Sequence, residues 1–331
     1  MTAATGVTVS SRALTATFMP ELGMLGTSLR HRGGELLALP GGLEGYQAGH
    51  VTGLPLLAPW ANRLGTLRYV VGDVEVDLSG LPLHTDELGL PIHGTMTAQA
   101  GWEVTAVGQR SLSARFPFGE HPELLASFPF PHVLDLDVTL GDGTLTVTTR
   151  LTAGADRAVP VAFGYHPYLR LPRTTRDAVR LALPDRRHLL LDHRHLPTGQ
   201  VRPDPAEEAP LGDRAFDDLY DLGDPAGSRV GGGSPAGSRV GSRVGGADGR
   251  GRGSGPALGL AGGGRRVTLT LDAGYRYAQV FAPADADVVC LEPMTAPVNA
   301  LVDGGYPLVA PGGSYTARFS LHVADELTRP G

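Results

Sequence analysis

Four stretches set polar or charged residues among apolar and turn residues: LAPWANRLGTLRY (57–69), GLPIHGTM (89–96), FGYHPYLRLP (163–172) and VVCLEPMTAPVNAL (288–301). Their candidates for chemistry are Arg63, His93, His166 and Glu292. A carboxylate of ordinary pKa near ~4.3 accepts a proton at neutral pH, and an imidazole near ~6.5 carries one or is tuned to do so. Glu292 ends an apolar run and is followed by Pro293, a placement expected where a side chain leaves a sheet at a strand end. A lone carboxylate is expensive to desolvate there. Two readings of Glu292 therefore stand: a proton acceptor, or the ion-pair partner of an arginine such as Arg63. His166 lies between Tyr165 and Tyr168 and precedes Pro167. The N–H missing at Pro167 puts the histidine at a strand end or bulge. For His166 and His93 the competing reading is a core histidine with satisfied ring nitrogens. For Arg63 it is a structural ion pair.

Composition removes whole mechanisms. All 28 basic residues are arginine, so a Schiff-base lysine, a pyridoxal phosphate anchor and a lysine-bearing phosphate loop are excluded. The single cysteine, Cys290, excludes an intramolecular disulfide and any cysteine-built metal centre, which suits a reducing compartment. DHRH (192–195) offers the best metal spacing, with His193 and His195 on one face if the segment is extended. No third ligand adjoins it, and HExxH, nucleophile-elbow and dinucleotide motifs are missing, so neither metal nor cofactor is expected. A formal charge of -6 gives no electrostatic case for nucleic acid. No run of eighteen apolar residues occurs, and the opening MTAATGVTVS lacks a secretory pattern, so the expected location is the cytoplasm, away from membrane.

The elements that must position these residues are strands. VLDLDVTL (133–140) and TLTVTTRL (144–151) alternate apolar and polar positions about the turn GDG, and RYVVGDVEVDL (68–78) repeats the design. Further strands are expected at LTATFM (14–19), WEVTAV (102–107), SLSARFPF (111–118), AVRLAL (178–183), RVTLTLD (266–272), YAQVFA (277–282), VVCLEP (288–293) and YTARFSLHV (315–323). Many short strands without alternating helices predict an all-β fold, a large sandwich or barrel. With 331 residues, 41% of them hydrophobic, the chain can bury a sizeable core. Between 223 and 264 glycine, serine and arginine crowd out core formers, and PAGSRVG at 225–231 recurs at 235–241. This reads as a low-complexity loop inserted within one domain spanning 1–331.

Taken together and in order, these stretches resemble the aldose 1-epimerase (mutarotase) family: NR followed by glycine and an aromatic at 62–69, IHG at 92–94, HPY at 166–168 and LEP at 291–293. SFPFPHVLDLDVTL (127–140), FDDLY (216–220) and AQVFAP (278–283) resemble intervening family segments. The resemblance implies a large antiparallel β-sandwich of the galactose mutarotase-like kind, a sugar-binding cleft and no metal or cofactor. It implies a monosaccharide substrate, with Glu292 as base and His166 as acid, and Arg63, His93 and Asp217 holding the sugar. Asp217 is preferred over Asp218 because it directly follows Phe216. Thr95 after Gly94, and Leu90 and Pro91 before Ile92, depart from the galactose-specific pattern. A free aldohexose is the first expectation. Arg68 and Arg170 near the motifs leave room for a hexose 6-phosphate through bidentate guanidinium pairing. A sugar-binding protein without turnover is the reading of a different class. Tyr165, Tyr168 and Trp60 are candidates to stack on a pyranose or to steady the imidazole.

Overall fold

The computed structural model describes residues 5–223 and 255–326. It is nearly all β, and its two largest sheets have nine and eight strands. The nine-stranded sheet runs Glu207–Pro210, Arg180–Leu183, Ala257–Gly262, Arg265–Ala273, Ser314–Asp325, Thr144–Ala153, His132–Leu140, Ser111–Phe116 and Glu103–Val107, every neighbour antiparallel. The hairpin expected at 133–151 forms two of its inner strands, with Val138 opposite Val147 and Leu140 opposite Leu145. Alternation decides which residues form the core. Leu134, Leu136, Val138, Val147, Leu269 and Phe319 point inward and are fully buried, while the residues between them meet solvent.

The eight-stranded sheet carries the candidate site. Its order is Pro197–Asp204, Arg186–Leu191, Phe216–Asp221, Tyr277–Ala282, Val289–Met294, Gly164–Tyr165 and Leu56–Leu57, with Tyr168–Leu169 pairing to Val289–Met294 beside that path. One face supplies Ala278, Val280, Ala282, Val289 and Leu291 to the core shared with the larger sheet. The other face would be open to water if loops from 37–65 and 84–97 did not cover it. They are tied down by backbone bonds from Ala38 N to Tyr168 O, Tyr168 N to Gly53 O and His93 N to Asn62 O. Every residue of Val289–Met294 is consequently buried, which explains why its sequence is apolar on both faces.

Two expectations about the chain are corrected. The insertion does not extend to 264: Ala257–Gly262 is an inner strand between Arg180–Leu183 and Arg265–Ala273. Its glycines disguise it, yet Leu258 and Leu260 are buried in the main core. Residues 224–254 of the expected loop lie outside the described residues. DHRH is a turn, not a strand: Asp192 Oδ1 accepts from the N–H groups of Arg194 and Leu196, and His195 takes a left-handed φ of 58°. Among the described residues no helix is long and apolar enough to cross a membrane.

His132 shows what a satisfied core histidine looks like here. Its ring stacks on Phe118 at 4.3 Å, and Nδ1–H donates to the Phe130 carbonyl at 2.7 Å. Burial pushes its pKa down to about 4, against a weaker upward pull from that hydrogen bond. Between the unfolded value near ~6.5 and the folded one, only the unfolded chain binds the proton, so stability is lost as pH falls. The stability of the wild type relative to His132→Gln is predicted to drop by on the order of 3 kcal/mol between pH 6.5 and 4. Denaturant titrations at several pH values read this, and parallel profiles for the two proteins would refute it.

Candidate active site

His166 and Glu292 meet. Nε2 of the imidazole lies 3.1 Å from Oε1 of the carboxyl, and the two side chains are only 6% and 1% exposed. Glu292 reaches this point because it shares a sheet face with Cys290 and Met294, opposite to Leu291. His166 arrives from the break between Gly164–Tyr165 and Tyr168–Leu169, two short strands that both pair with the glutamate strand. The expected strand-end placement of the histidine is what the fold contains, although Tyr168 does donate its N–H, to Gly53. Gly164 permits the approach: a Cβ there would meet the Pro293 carbonyl at 2.8 Å and Ala61 Cβ at 2.9 Å.

Around the pair, His93 abuts His166 edge-on with ring centroids 5.4 Å apart. It is held by the IHG turn, where Gly94 has φ 70° and lies against Ala58. The N–H groups of Thr95 and Met96 bond the Ala58 carbonyl, so the histidine loop and the arginine loop are one unit. Arg63 Nε donates to Asp86 Oδ2 at 2.8 Å, while its Nη1 lies 3.7 Å from Asp217 Oδ2. Asp217 also accepts from Gln279 Nε2 at 2.6 Å and faces His195 Nδ1 at 3.0 Å. Side-chain exposure rises from the pair to Arg63 at 15%, Asp217 at 23% and His195 at 42%, so the pair is the floor and Asp217 lies nearer the rim.

Burial dominates the electrostatics. It lowers the proton affinity of His166, assisted by the Arg63 charge, and raises that of Glu292, assisted by Asp217 and opposed by Arg63. His93 is held well below the usual imidazole range by burial, then by His166 and Arg63. Nδ1 of His166, Nδ1 of His93, Oε2 of Glu292 and Oε1 of Gln279 are buried without a protein partner. Each such atom costs about 1–3 kcal/mol unless something bonds to it. Orphaned donors and acceptors gathered about one imidazole–carboxyl pair are what a polar ligand with several hydroxyls would satisfy.

The family described as aldose 1-epimerase matches residues 7–322. The chain belongs to the aldose 1-epimerase family. The fold is that of solved relatives of the epimerase family: a galactose mutarotase-like protein from Clostridium acetobutylicum (TM-score 0.78, 19% identity, 97% of this chain and 95% of that one). An aldose epimerase homologue from C. elegans gives a TM-score of 0.75 at 15% identity, covering 98% and 100% of the two chains. Galactose 1-epimerase from Lactobacillus acidophilus gives 0.69 at 12%, covering 97% and 95%. At these identities the likeness is one of fold. No match is found among curated proteins.

Set beside the epimerase-family expectations, the fold brings Arg63, His93, His166, Asp217 and Glu292 to one side of the eight-stranded sheet. Glu292 is not the partner of Arg63; its close contact is with His166, and Arg63 is engaged by Asp86. Asp218 falls on the opposite face, with Oδ1 3.1 Å from His188 Nε2. Of the aromatic candidates only Tyr168 steadies the imidazole, stacking on it at 4.6 Å. Tyr165 turns into the core, where its hydroxyl meets Thr149, and Trp60 is buried there too. His193 and His195 form no metal site, since no group of three or more potential ligands exists among the described residues. Arg68 is taken up by Asp77 across its own hairpin. Asp86 and Gln279 were not singled out from sequence, and His195 only as a candidate metal ligand. Gln279 had one usable signal, an amide within the apolar run YAQVFA.

Gly94 provides a test of how the loops are coupled. A Cβ at 94 would sit 2.1 Å from the Ala58 carbonyl oxygen, and the backbone there is already left-handed. Gly94→Ala is predicted to destabilise the fold by about 2 kcal/mol or more. It should also broaden the NMR signals of His93 more than those of His132, whereas equal stability and unchanged imidazole signals would show that the two loops are not coupled.

Proposed function

We propose that this chain interconverts the α and β anomers of a free aldohexose by general acid and base catalysis. The observation that carries the reading is the buried contact of 3.1 Å between His166 Nε2 and Glu292 Oε1, surrounded by unpartnered polar atoms. In this reading Glu292 takes the proton from the C1 hydroxyl as C1=O1 forms and the C1–O5 bond breaks. His166 delivers a proton to O5 as that bond opens. Rotation about C1–C2 presents the other face of the aldehyde, and the reverse transfers close the ring with the opposite configuration.

The proton inventory closes. Ring opening moves one proton from the imidazole to the carboxyl by way of the sugar, so imidazolium and carboxylate become imidazole and carboxylic acid. In water the two groups differ by about 2 pKa units. Burial lowers the one and raises the other until their order is reversed, so the buried pair favours neutral imidazole with carboxylic acid, the arrangement that ring opening produces and ring closure starts from. Arg63, His93 and Asp217 serve by orienting hydroxyls and the ring oxygen, since fixing the geometry of proton transfer is itself catalytic. Acid or base assistance contributes roughly 10²–10⁴ each, adequate for a reaction that proceeds unaided in water.

The competing class, a sugar-binding protein without turnover, is separated by one variant. Glu292→Gln is predicted to reduce anomer exchange by about 10²–10⁴ while leaving glucose affinity within severalfold. Two-dimensional exchange NMR and titration calorimetry report the two quantities. If the wild type accelerates exchange for none of glucose, galactose and glucose 6-phosphate, the proposal fails.

The pH profile gives a second check. The pair works while it carries one shared proton, so rates fall when it gains a second proton in acid or loses its last in alkali. Burial disfavours both of those charged states and so widens the plateau on each side. The profile of kcat/KM is expected to show no inflection near ~6.5, the value of an ordinary histidine. A clear inflection there would mean a solvent-exposed imidazole limits the rate.

A further inference from the structure

The loops that carry Arg63 and His93 form one backbone unit, and that unit must be registered against the sheet that carries Glu292. Ahead of the arginine, the Ala61 N–H donates to the Ala162 carbonyl at 2.7 Å. From the arginine onward the partner is Asn299, which follows the glutamate strand Val289–Met294 in the chain. Its N–H donates to the Arg63 carbonyl at 2.9 Å, and its Oδ1 accepts from the Gly65 N–H at 2.7 Å. Its Nδ2 donates to Asp303 Oδ2 at 2.7 Å, which turns the amide so that Oδ1 faces Gly65. Asn299 is buried, and its backbone is left-handed with φ 64°, a conformation asparagine tolerates better than most residues. The stretch leading to it is pinned to the sheet by Thr295, whose N–H and hydroxyl both donate to the Phe163 carbonyl. Packing at the junction is close: a Cβ on Gly65 would lie 3.3 Å from Asn299 Oδ1 and 2.9 Å from Leu196.

We infer that Asn299 is a positioning residue, which acts on the reaction through Arg63 by fixing the loop from which the guanidinium reaches toward Asp217. The inference rests on the epimerase reading above for the task it gives Arg63, the orientation of the sugar. The guanidinium faces two carboxylates, Asp86 at 2.8 Å and Asp217 at 3.7 Å. Asp86 belongs to the loop that already moves with the arginine, through the bonds from Leu64 N–H to the Pro91 carbonyl and from His93 N–H to the Asn62 carbonyl. That contact alone therefore leaves the guanidinium free to travel with both loops. Asp217 and Glu292 belong to the eight-stranded sheet. Asn299 ties loop to sheet at two successive peptide groups, the carbonyl of Arg63 and the N–H of Gly65, and two such bonds fix the tilt of the loop as well as its distance. Without the amide, the Gly65 N–H would have to find another acceptor, and the loop would be released to do so. A guanidinium displaced at its root would orient the sugar less well, and orientation is what it is there to supply.

The test separates an effect through Arg63 from a loss of fold. Asn299→Gly keeps the left-handed backbone and the N–H but removes the amide. Asn299→Asp sets two acceptors face to face at Asp303, and Asn299→Asp combined with Asp303→Asn reverses that pair while keeping an acceptor for Gly65. Exchange NMR is run at anomeric equilibrium on whichever of glucose, galactose and glucose 6-phosphate turns over fastest. Each single change at 299 should lower kcat/KM by about 10- to 100-fold. The reversed pair should return it to within about threefold of the wild type, and in an Arg63→Ala background the single changes should lower it by no more than about twofold, because the residue they act through is gone. Equal losses with and without Arg63, or no recovery in the reversed pair, would make Asn299 an ordinary structural residue and overturn the inference. Should Asn299→Gly not fold, Asn299→Asp against the reversed pair makes the same comparison. If the wild type turns over no sugar, the epimerase reading falls by itself, and the Nε–H signal of Arg63, identified by its absence from Arg63→Ala, decides the positioning. Broadening or displacement of that signal in the single variants and its return in the reversed pair support the role; an unchanged signal refutes it.

Discussion

One close contact between two titratable groups, sealed from water, sets the terms for everything around it. An imidazole and a carboxyl in such a place are stable only if together they carry one proton, because either extra charge would be desolvated without compensation. His132 shows the contrast within the same molecule. It is as deeply buried as His166, yet its ring nitrogen bonds a backbone carbonyl and its faces are covered by phenylalanines. Burial fixes His132 in one protonation state. Opposite a carboxyl that burial has made eager for a proton, His166 is in a position to exchange one.

Keeping such a pair requires a scaffold closed on both sides. The glutamate strand has a core of sandwich hydrophobes beneath it and loops above it, and the loops must come close without carrying side chains into the contact. Gly164 and Gly94 meet that need, one against the Pro293 carbonyl and the other against Ala58. The covering loops are bonded to the sheet and to each other through backbone groups. Side chains there remain available to face a ligand.

The rim tunes the floor through opposed charges. Asp217 raises the proton affinity of Glu292, and Arg63 lowers it. These two rim residues are themselves near one another, and each has a second partner: Asp86 for the guanidinium, Gln279 and His195 for the carboxylate. Asp86 is kept ionised despite its burial by the N–H of Leu90, the guanidinium of Arg63 and the N–H of Leu88. A ligand hydroxyl that took the place of one of these contacts would shift the balance of charge felt at Glu292, so binding and proton affinity are linked.

Features that repeat locally or stand as a fixed word could be read before any fold was known. The two-residue period located most long strands and the all-β class, since each side chain's face follows from its parity. The words NR, IHG, HPY and LEP marked four of the five residues that the fold gathers. Parity could not say which face of FDDLY looks toward the site, because both neighbours are aspartates; only pairing with YAQVFA sends Asp217 one way and Asp218 the other. Asp86 and His195 sit in turns whose local sequence is fully explained by Asx-type backbone bonds, so nothing in it announces a partner across the cleft. ALGLAG concealed a strand among glycines because its burial comes from neighbours on both sides and not from its own composition. Distance between residues remote in the chain, and the loss of water around them, are properties of the packed molecule, and these alone decide that His166 and Glu292 meet in a buried place.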